Sequence, residues 1–336
     1  MIYKIPFTPD QLSAINSNKS LVITACPGSG KTAVIVEKIR TEIASLERHR
    51  GVVGISFTVK ASKELSLKCK AGALDTKSSF FGTIDNFCLS EIVFPFISKL
   101  YKEKPSAIIS IKYSELPDHY KERLPDLDKP EISFSTTDYA KYETEFKSHY
   151  KNGFILLEAA GIIACKIIES TFACRRYLQS RYSSIYVDEY QDTSEPQHSL
   201  FQAIHLLGLT AIAVGDIQQS IYAFRGGNPE HILSLIQDPN FDHHIIGVNH
   251  RCHPSITNYA NRLFSPECEL LPTEQIHVFR RTFEGNQIDV AKSLGEWLKI
   301  AAKTFSIENF SEIAVLVKSN ASVKRIQEHL TIPAKF

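Results

Sequence analysis

Four short apolar runs, rich in β-branched residues, stand out along the chain. They cover residues 20–25, 51–57, 185–187 and 211–214, and each is followed by polar or glycine-containing positions and then by a helical pattern. Short continuous apolar runs are typical of strands that are buried on both faces of a sheet. Because strands alternate here with helices, the pattern predicts an α/β fold built on a parallel sheet.

Residues 91–181 show a different pattern. This segment is rich in Lys, Glu and Tyr, contains scattered prolines and reads as helical at both ends, which predicts a mainly helical insertion between two halves of one sheet. A later apolar run at 312–318 precedes a helical pattern starting near Ala321, and this pair predicts the opening of a second α/β domain. The predicted domains are residues 1–90 and 182–250 for the first domain, 91–181 for the insertion, and 251–336 for the incomplete second domain.

The bulk composition argues against a membrane protein and leaves the partner open. The chain has 336 residues, of which 43% are apolar and 22% charged, and its net charge of +1 neither requires nor excludes a nucleic acid. The most apolar stretch, 154–168, is too short to cross a bilayer and contains Glu158 and Lys166. The N-terminus has no long apolar core, so we expect no signal peptide.

Seven cysteines occur, and no two of them form a C-x-x-C pair. Their odd number and dispersed spacing predict reduced, mostly buried thiols in a cytoplasmic protein. An iron–sulfur or other metal site held by cysteines is not expected, because such a site needs its ligands clustered.

The strongest local signal is the sequence ACPGSGKT at residues 25–32. It follows the first predicted strand and precedes a helical pattern, which is the context in which a phosphate-binding loop forms. The glycines allow backbone amides to turn inward around phosphate oxygens, and the helix N-terminus adds partial positive charge. Lys31 is expected to reach the β- and γ-phosphates, and Thr32 to offer its hydroxyl to Mg²⁺. The nucleotide-binding candidates in this loop are Gly28, Ser29, Gly30, Lys31 and Thr32.

Residues 185–192, IYVDEYQD, predict the second half of the same site. An apolar strand ends here in two adjacent carboxylates. We expect Asp188 to hold Mg²⁺ through its water shell and Glu189 to orient and deprotonate the attacking water. Together with the phosphate loop, this carboxylate pair predicts hydrolysis of ATP.

With these two motifs in place, the chain resembles the UvrD/Rep/PcrA helicases of superfamily 1A, with the motifs in the same order along nearly its whole length. The resemblance implies a RecA-like P-loop NTPase domain with a helical insertion, followed by the start of a second RecA-like domain. It also implies ATP and Mg²⁺ as cofactors. Residues 7–11, FTPDQ, resemble the family's Q motif, in which Gln11 is implied to read the adenine edge. A Thr-Pro pair also starts helices well, and the two interpretations are compatible.

Three further segments carry residues that the resemblance assigns to single-stranded DNA. Residues 55–61, ISFTVKA, resemble motif Ia, and residues 81–87, FGTIDNF, resemble motif Ib although Asp85 replaces a common histidine. Residues 213–226, AVGDIQQSIYAFRG, resemble motif III. For Phe57, an aromatic side chain buried after a strand is the alternative interpretation. The implied nucleic-acid contacts are Phe57, Thr58, Thr83, Tyr222, Phe224 and Arg225.

The resemblance adds residues on the γ-phosphate and the base. Gln219 of motif III is implied to sense the γ-phosphate. Residues 247–252, GVNHRC, resemble motif IV, in which Arg251 matches an arginine that points at the γ-phosphate from across the cleft. His250 stands where a tyrosine usually stacks on adenine.

Residues 313–321, IAVLVKSNA, resemble the first strand of the second motor domain. Motifs V and VI, which follow it in the family, do not follow here. The resemblance leaves open whether the chain is a fragment of a longer helicase or a naturally short protein that takes the missing half from a partner. By itself we expect it to bind nucleotide weakly or to hydrolyse it slowly.

The implied function is an ATP-dependent helicase or translocase that moves 3′-to-5′ on single-stranded DNA in repair or anti-phage defence. Compact members of the family include the helicase-like subunit of the Gabija anti-phage system, which works beside a nuclease, and the sequence GTID at 82–85 and the short insertion favour such a member. The alternative is a regulatory subunit that binds ATP and DNA and gates a partner nuclease without unwinding. An RNA motor is a third option, because no residue here selects deoxyribose over ribose.

Overall fold

The computed structural model describes residues 6–129, 132–220 and 227–330. The chain divides into two compact units, Met1–Cys252 and His253–Phe336. Within the described ranges, no helix is both long enough and apolar enough to cross a membrane.

Six strands of the first unit form one sheet in which every neighbouring pair is parallel, in the order β3-β2-β6-β7-β1-β8. A separate two-stranded parallel sheet pairs β4 with β5. The predicted α/β fold on a parallel sheet is therefore confirmed. The strands are β1 Leu21–Ala25, β2 Gly51–Ile55, β3 Phe80–Gly82, β4 Ile109–Ile111, β5 Phe154–Leu156, β6 Tyr182–Val187, β7 Thr210–Gly215 and β8 Asp242–Ile246.

The large sheet is buried on both faces, which explains its continuous apolar strands. In β7, Ile212 and Val214 join one apolar core, whereas Ala211 and Ala213 between them join the other. Successive side chains of a strand point to opposite faces, so a strand covered on both sides needs apolar residues at every position.

Helices cover the two faces and connect the strands. The helix predicted after the phosphate loop, at residues 33–43, is confirmed as α2, which begins two residues earlier at Lys31 and ends two residues later at Ser45. Residues 88–93 form a π-helical stretch that joins α4 to α5. The helices are α1 Pro9–Asn16, α2 Lys31–Ser45, α3 Val59–Lys70, α4 Ile84–Phe87, α5 Phe94–Tyr101, α6 Asp118–Lys121, α7 Asp138–Lys151, α8 Ala160–Ser170, α9 Phe172–Arg181, α10 Glu195–Leu206, α11 Glu230–Gln237, α12 Pro254–Phe264, α13 Gln287–Thr304 and α14 Asn320–His329.

The segment between β3 and β6 folds onto the same core as the sheet. It contains α5 to α9 and the small β4-β5 sheet. Phe146 of α7 and Ile163 of α8 belong to the apolar cluster that also contains Ile185 of β6. Pro196 of α10 lies so close to α8 that a Cβ on Gly161 would come within 3.1 Å of its Cβ. Strands before and after this segment therefore share one sheet, and the segment packs beside it.

The second unit contains α12, α13 and α14, and the strand predicted at 312–318 is wrong. Residues 313–317 form neither helix nor strand, after a short 3₁₀ turn at Phe310–Glu312, and Leu316 is 92% exposed. A strand needs a neighbouring strand for its backbone hydrogen bonds, and residues 253–330 provide none. The helix predicted to start near Ala321 is confirmed, because α14 begins at Asn320.

All seven cysteines are free thiols, as predicted. Cys69, Cys88 and Cys174 are buried and the other four are partly exposed, so burial is less general than expected. Burial raises the pKa of Cys69 to about 11 and that of Cys174 to about 12. These two thiols are therefore packing residues that stay protonated at neutral pH.

Candidate nucleotide and nucleic-acid site

The candidate residues lie at one edge of the large sheet, where the parallel strands end. This edge is where ligands bind in open α/β sheets. Among the described residues, nucleotide candidates occupy the β1-β8 end, nucleic-acid candidates occupy the β3-β2 end, and the carboxylates after β6 lie between them. Across the sheet, the edge carries Thr83 after β3, Phe57 and Thr58 after β2, Asp188 and Glu189 after β6, Asp216 after β7, residues 25–32 at β1, and residues 247–251 after β8.

The phosphate loop has the backbone that an anion cradle requires. Gly28 and Gly30 have φ values of 73° and 82°, in the left-handed region that favours glycine. Gly30 caps α2 without a side-chain hydrogen bond, so the first N–H groups of the helix have no capping side chain. Open amides and the helix dipole together favour an anion at this position.

Residues 246–251 brace this loop from the side of β8. Cys26 N–H donates to the Ile246 carbonyl (3.1 Å), and His250 N–H donates to the Gly28 carbonyl (3.0 Å). A Cβ on Gly28 would lie 2.6 Å from Asn249 Oδ1 and 2.7 Å from Arg251 Cβ. The motif IV segment is therefore in direct contact with the phosphate loop.

Gln11 reaches the phosphate loop with its side chain. Its Oε1 accepts from Thr8 N–H (2.8 Å), which forms a capping box at α1, and its Nε2 donates to the Ser29 carbonyl (2.8 Å). Gln11 is only 4% exposed. Both ends of the amide are thus engaged within the protein, and reading of adenine by Gln11 stays a prediction.

The two carboxylates after β6 face the loop lysine. Lys31 Nζ lies 3.3 Å from Glu189 Oε2, and the Lys31 side chain is 12% exposed. Asp188 is partly buried, and burial together with the neighbouring Glu189 charge raises its pKa to about 6. Glu189 has a φ of 56°, which is uncommon for a residue with a side chain. The expected catalytic lysine and the expected base are therefore ion-paired.

A buried amide that sequence analysis gave no role joins this group. Gln191, in the 3₁₀ turn Tyr190–Asp192, donates from Nε2 to Glu189 Oε2 (2.9 Å) and accepts at Oε1 from Asp216 N–H (2.9 Å). Asn249 was also missed, although its Oδ1 accepts from Arg251 N–H (2.8 Å) and Cys252 N–H (2.9 Å). The sequence offered one signal for each of them: Gln191 lies inside the motif at 185–192, and Asn249 lies inside the motif at 247–252.

Three other expected residues take the following places. Gln219 donates from its side-chain amide to the carboxylate of Asp216. Arg251 and His250 are exposed and lie in the same compact unit as the phosphate loop. Arg251 was predicted in the following domain, across a cleft, but Arg251 Cβ and Asn249 Oδ1 lie directly beside Gly28 of the loop. Contact of these three side chains with a nucleotide stays a prediction.

The nucleic-acid candidates in the described part of the chain lie at the β3-β2 end. Thr58 and Thr83 are the N-caps of α3 and α4, where each hydroxyl oxygen accepts a backbone N–H. Phe57 is half-buried beside them. A cavity of about 270 Å³ lies between Phe57, Thr83, Asp188 and Gln197. Tyr222, Phe224 and Arg225 lie outside the described residues.

The carboxylates and hydroxyls present fit a magnesium ion that is held mainly by phosphate and water. Within the described ranges, no three His, Cys, Asp or Glu side chains gather as a metal site. Mg²⁺ keeps several waters and needs only one or two carboxylates beside a nucleotide, which suits the Thr32 and Asp188 pair. The left-handed glycines beside the α2 N-terminus supply the matching phosphate cradle.

Comparison with known proteins places the chain in a family. A sequence model of the UvrD/REP helicase N-terminal domain matches residues 7–104 and 96–240. The chain is 27% identical to a Gabija protein, GajB, of Bacillus cereus, over 94% of this chain and 60% of that protein. It is 26% identical to the ATP-dependent DNA helicase PcrA of Bacillus subtilis, over 96% of this chain and 48% of that protein.

A third relative is the ATP-dependent DNA helicase Rep of Buchnera aphidicola, which is 24% identical over 90% of this chain and 51% of that protein. The chain thus spans about half the length of the curated relatives it matches. The family model covers well over half of the chain, in the part that holds the sheet and the site. The chain belongs to the UvrD/Rep helicase family.

Proposed function

We propose that this chain is the nucleotide-binding part of a RecA-like motor that hydrolyses ATP with Mg²⁺ and moves 3′-to-5′ along single-stranded DNA. The observation that carries this proposal is the Lys31–Glu189 ion pair at an edge that also bears the nucleic-acid candidates. One rigid sheet thus holds both sets of residues. Because β6 and β2 are neighbouring strands, a movement of the residues after β6 would be transmitted to the residues after β2.

The proposed hydrolysis assigns one task to each residue at the edge. The backbone of residues 28–32 wraps the phosphates, and Lys31 leaves Glu189 to neutralise their charge. Glu189 is then free to take a proton from the attacking water. Arg251 supplies positive charge beside the γ-phosphate. Gln219 changes its contacts when the γ-phosphate is released. Thr32 would offer its hydroxyl to Mg²⁺ and Asp188 would bind the ion through water, and the ion would supply charge that helps to neutralise the phosphates.

The proposed domains follow from the same assignment. Residues 1–90 and 182–250 form the first RecA-like domain, and residues 91–181 are its insertion. The segment that follows opens the second RecA-like domain. The compact unit that ends at Cys252 supports a boundary close to residue 250.

We propose anti-phage defence as the biological setting. The match to a Gabija protein covers 60% of that protein, against 48% and 51% for the two helicases of Bacillus subtilis and Buchnera aphidicola. In that setting we propose that the chain works beside a nuclease subunit. A role that gates the nuclease without unwinding needs the same nucleotide site and differs only in the absence of strand separation.

Turnover of ATP, with and without single-stranded DNA, tests the proposal. Glu189→Gln should keep nucleotide affinity while turnover falls by about 10²- to 10⁴-fold, because the amide cannot take the proton. Glu47→Gln, the same change at an exposed carboxylate, is the matched control. Retained turnover in Glu189→Gln excludes Glu189 as the base, and turnover that ignores the DNA argues against a motor. Unwinding of a tailed duplex then separates the motor from the gating subunit.

A further inference from the structure

Gln191 is a fully buried amide in a position where burial is costly without partners. It is 1% exposed and lies three residues beyond the carboxylate of Asp188. A buried side-chain amide carries two donors and an acceptor, and each unpaired one costs free energy. Here Nε2 donates to Glu189 Oε2 (2.9 Å) and to Asp192 Oδ2 (3.3 Å), and Oε1 accepts from Asp216 N–H (2.9 Å). One amide therefore joins the turn after β6 to the first residue after β7.

The backbone on both sides is shaped to admit this amide. Glu189 adopts φ 56° and ψ 43°, and this left-handed turn lets the chain fold back so that residue 191 contacts residue 189. At the end of β7, a Cβ on Gly215 would lie 2.6 Å from Gln191 Oε1. A larger residue at 215 would displace the amide, so the strand ends in glycine at the point of contact.

Gln191 bonds to the proposed base, Glu189, and to the first residue of the loop that carries Gln219. Glu189 Oε2 receives both the Gln191 amide and Lys31 Nζ, the latter at 3.3 Å. When Lys31 turns to the phosphates, Gln191 is the donor that remains on that oxygen. Asp216 accepts the side-chain amide of Gln219, the residue assigned to the γ-phosphate. The Gln191 amide therefore lies between the base and the loop that carries Gln219.

We propose that Gln191 is a positioning residue that orients Glu189 and links it to the loop after β7. This role rests on the proposed ATP hydrolysis, and Gln191 would act in it through Glu189 and Asp216. Movement of residues 216–219 shifts the Asp216 amide, and the bridging side chain passes that shift to the carboxylate. Hydrolysis is then coupled to the loop through two hydrogen bonds of one side chain.

Two substitutions separate this role from packing. Gln191→Met keeps the volume and removes all three side-chain hydrogen bonds, whereas Gln191→Glu keeps an acceptor for Asp216 N–H and removes the donor to Glu189 and Asp192. We expect both to lower kcat by about 10²-fold with KM changed less than about threefold, because the base is misplaced while the nucleotide contacts remain. Gln179→Met, which removes an exposed amide bonded to the Leu207 carbonyl, is the matched control.

A double substitution shows whether Gln191 acts through Glu189. Combining Gln191→Met with Glu189→Gln should cost no more turnover than Glu189→Gln alone, since the base is already lost. If the kcat losses of the two single substitutions multiply in the double variant, the inference is overturned. It is also overturned if Gln191→Met and Gln191→Glu both keep kcat within about twofold of wild type. If Gln191→Met does not fold, the kcat of Gln191→Glu alone tests the inference. Wild-type chain without ATP turnover overturns the proposed function instead, so the two failures are distinguishable.

Discussion

At the scale of single residues, Gly28 is where the phosphate loop meets the segment after β8. Its φ of 73° already disfavours any side chain, and a Cβ would lie 2.6 Å from Asn249 Oδ1 and 2.7 Å from Arg251 Cβ. We expect Gly28→Ala to lower the free energy of unfolding by about 1–2 kcal/mol and to weaken nucleotide binding by about tenfold or more. Chemical denaturation and titration with a fluorescent ATP analogue measure the two effects.

The chain offers a matched control for this substitution. Gly208 has a φ of 90°, and a Cβ there would meet nothing within 4 Å. Gly208→Ala should therefore carry the same backbone penalty without any clash and leave nucleotide affinity at the wild-type value. Equal affinity in the Gly28 and Gly208 variants would show that the contact with Asn249 and Arg251 does not shape the phosphate loop.

At the scale of elements, the turn after β6 is held against α10 and α11 by an aromatic and histidine cluster. Tyr190 Oη lies 2.8 Å from His198 Nδ1, and the His198 and His231 rings stack with centroids 4.6 Å apart. Burial first, and the neighbouring His231 second, lower the pKa of His198 to about 4, while Glu195 opposes the shift. Neutral His198 is thus part of the packing that supports the carboxylate turn.

This depressed pKa makes stability depend on pH. The folded state resists protonation of His198, so its contribution is fully present above the ordinary pKa of 6.5 and is lost as pH falls towards about 4. The full shift corresponds to about 3 kcal/mol. We expect His198→Gln to flatten the decline in unfolding free energy between about pH 7 and about pH 5. Urea denaturation at both pH values, with His49→Gln as an exposed control, checks this, and parallel curves would contradict it.

The elements predicted from sequence are those whose pattern is local. The four apolar runs became β1, β2, β6 and β7, whereas β3, β4, β5 and β8 were missed. β3 has three residues, too few for a pattern, and β8 is an edge strand whose sequence, DHHII, is too polar for the apolar pattern of the inner strands. The run at 312–318 looked like the other strands but lacks a neighbour in the described part of its unit.

The residues of the candidate site also differ in whether local sequence could predict them. Lys31, Asp188 and Glu189 were predictable because a loop or a strand end next to them in sequence fixes their surroundings. Gln191 and Asn249 were not, since their roles depend on hydrogen bonds across the sheet edge to residues 216 and 251. Strand order, which brings β1 beside β8 and β6 beside β7, is not readable from chain order alone.

At the scale of the whole molecule, the strand order separates two kinds of candidate residue along one edge. Phe57, half-buried after β2, lies on the far side of the carboxylates from the phosphate loop. If it stacks on a base, Phe57→Ala should raise the single-strand concentration for half-maximal ATPase stimulation by about tenfold, since such stacking contributes about 1–3 kcal/mol. Phe172→Ala, which removes a ring 68% exposed on α9, should leave that concentration unchanged. If both variants need the same single-strand concentration for half-maximal stimulation, Phe57 is a packing residue and does not stack on a base.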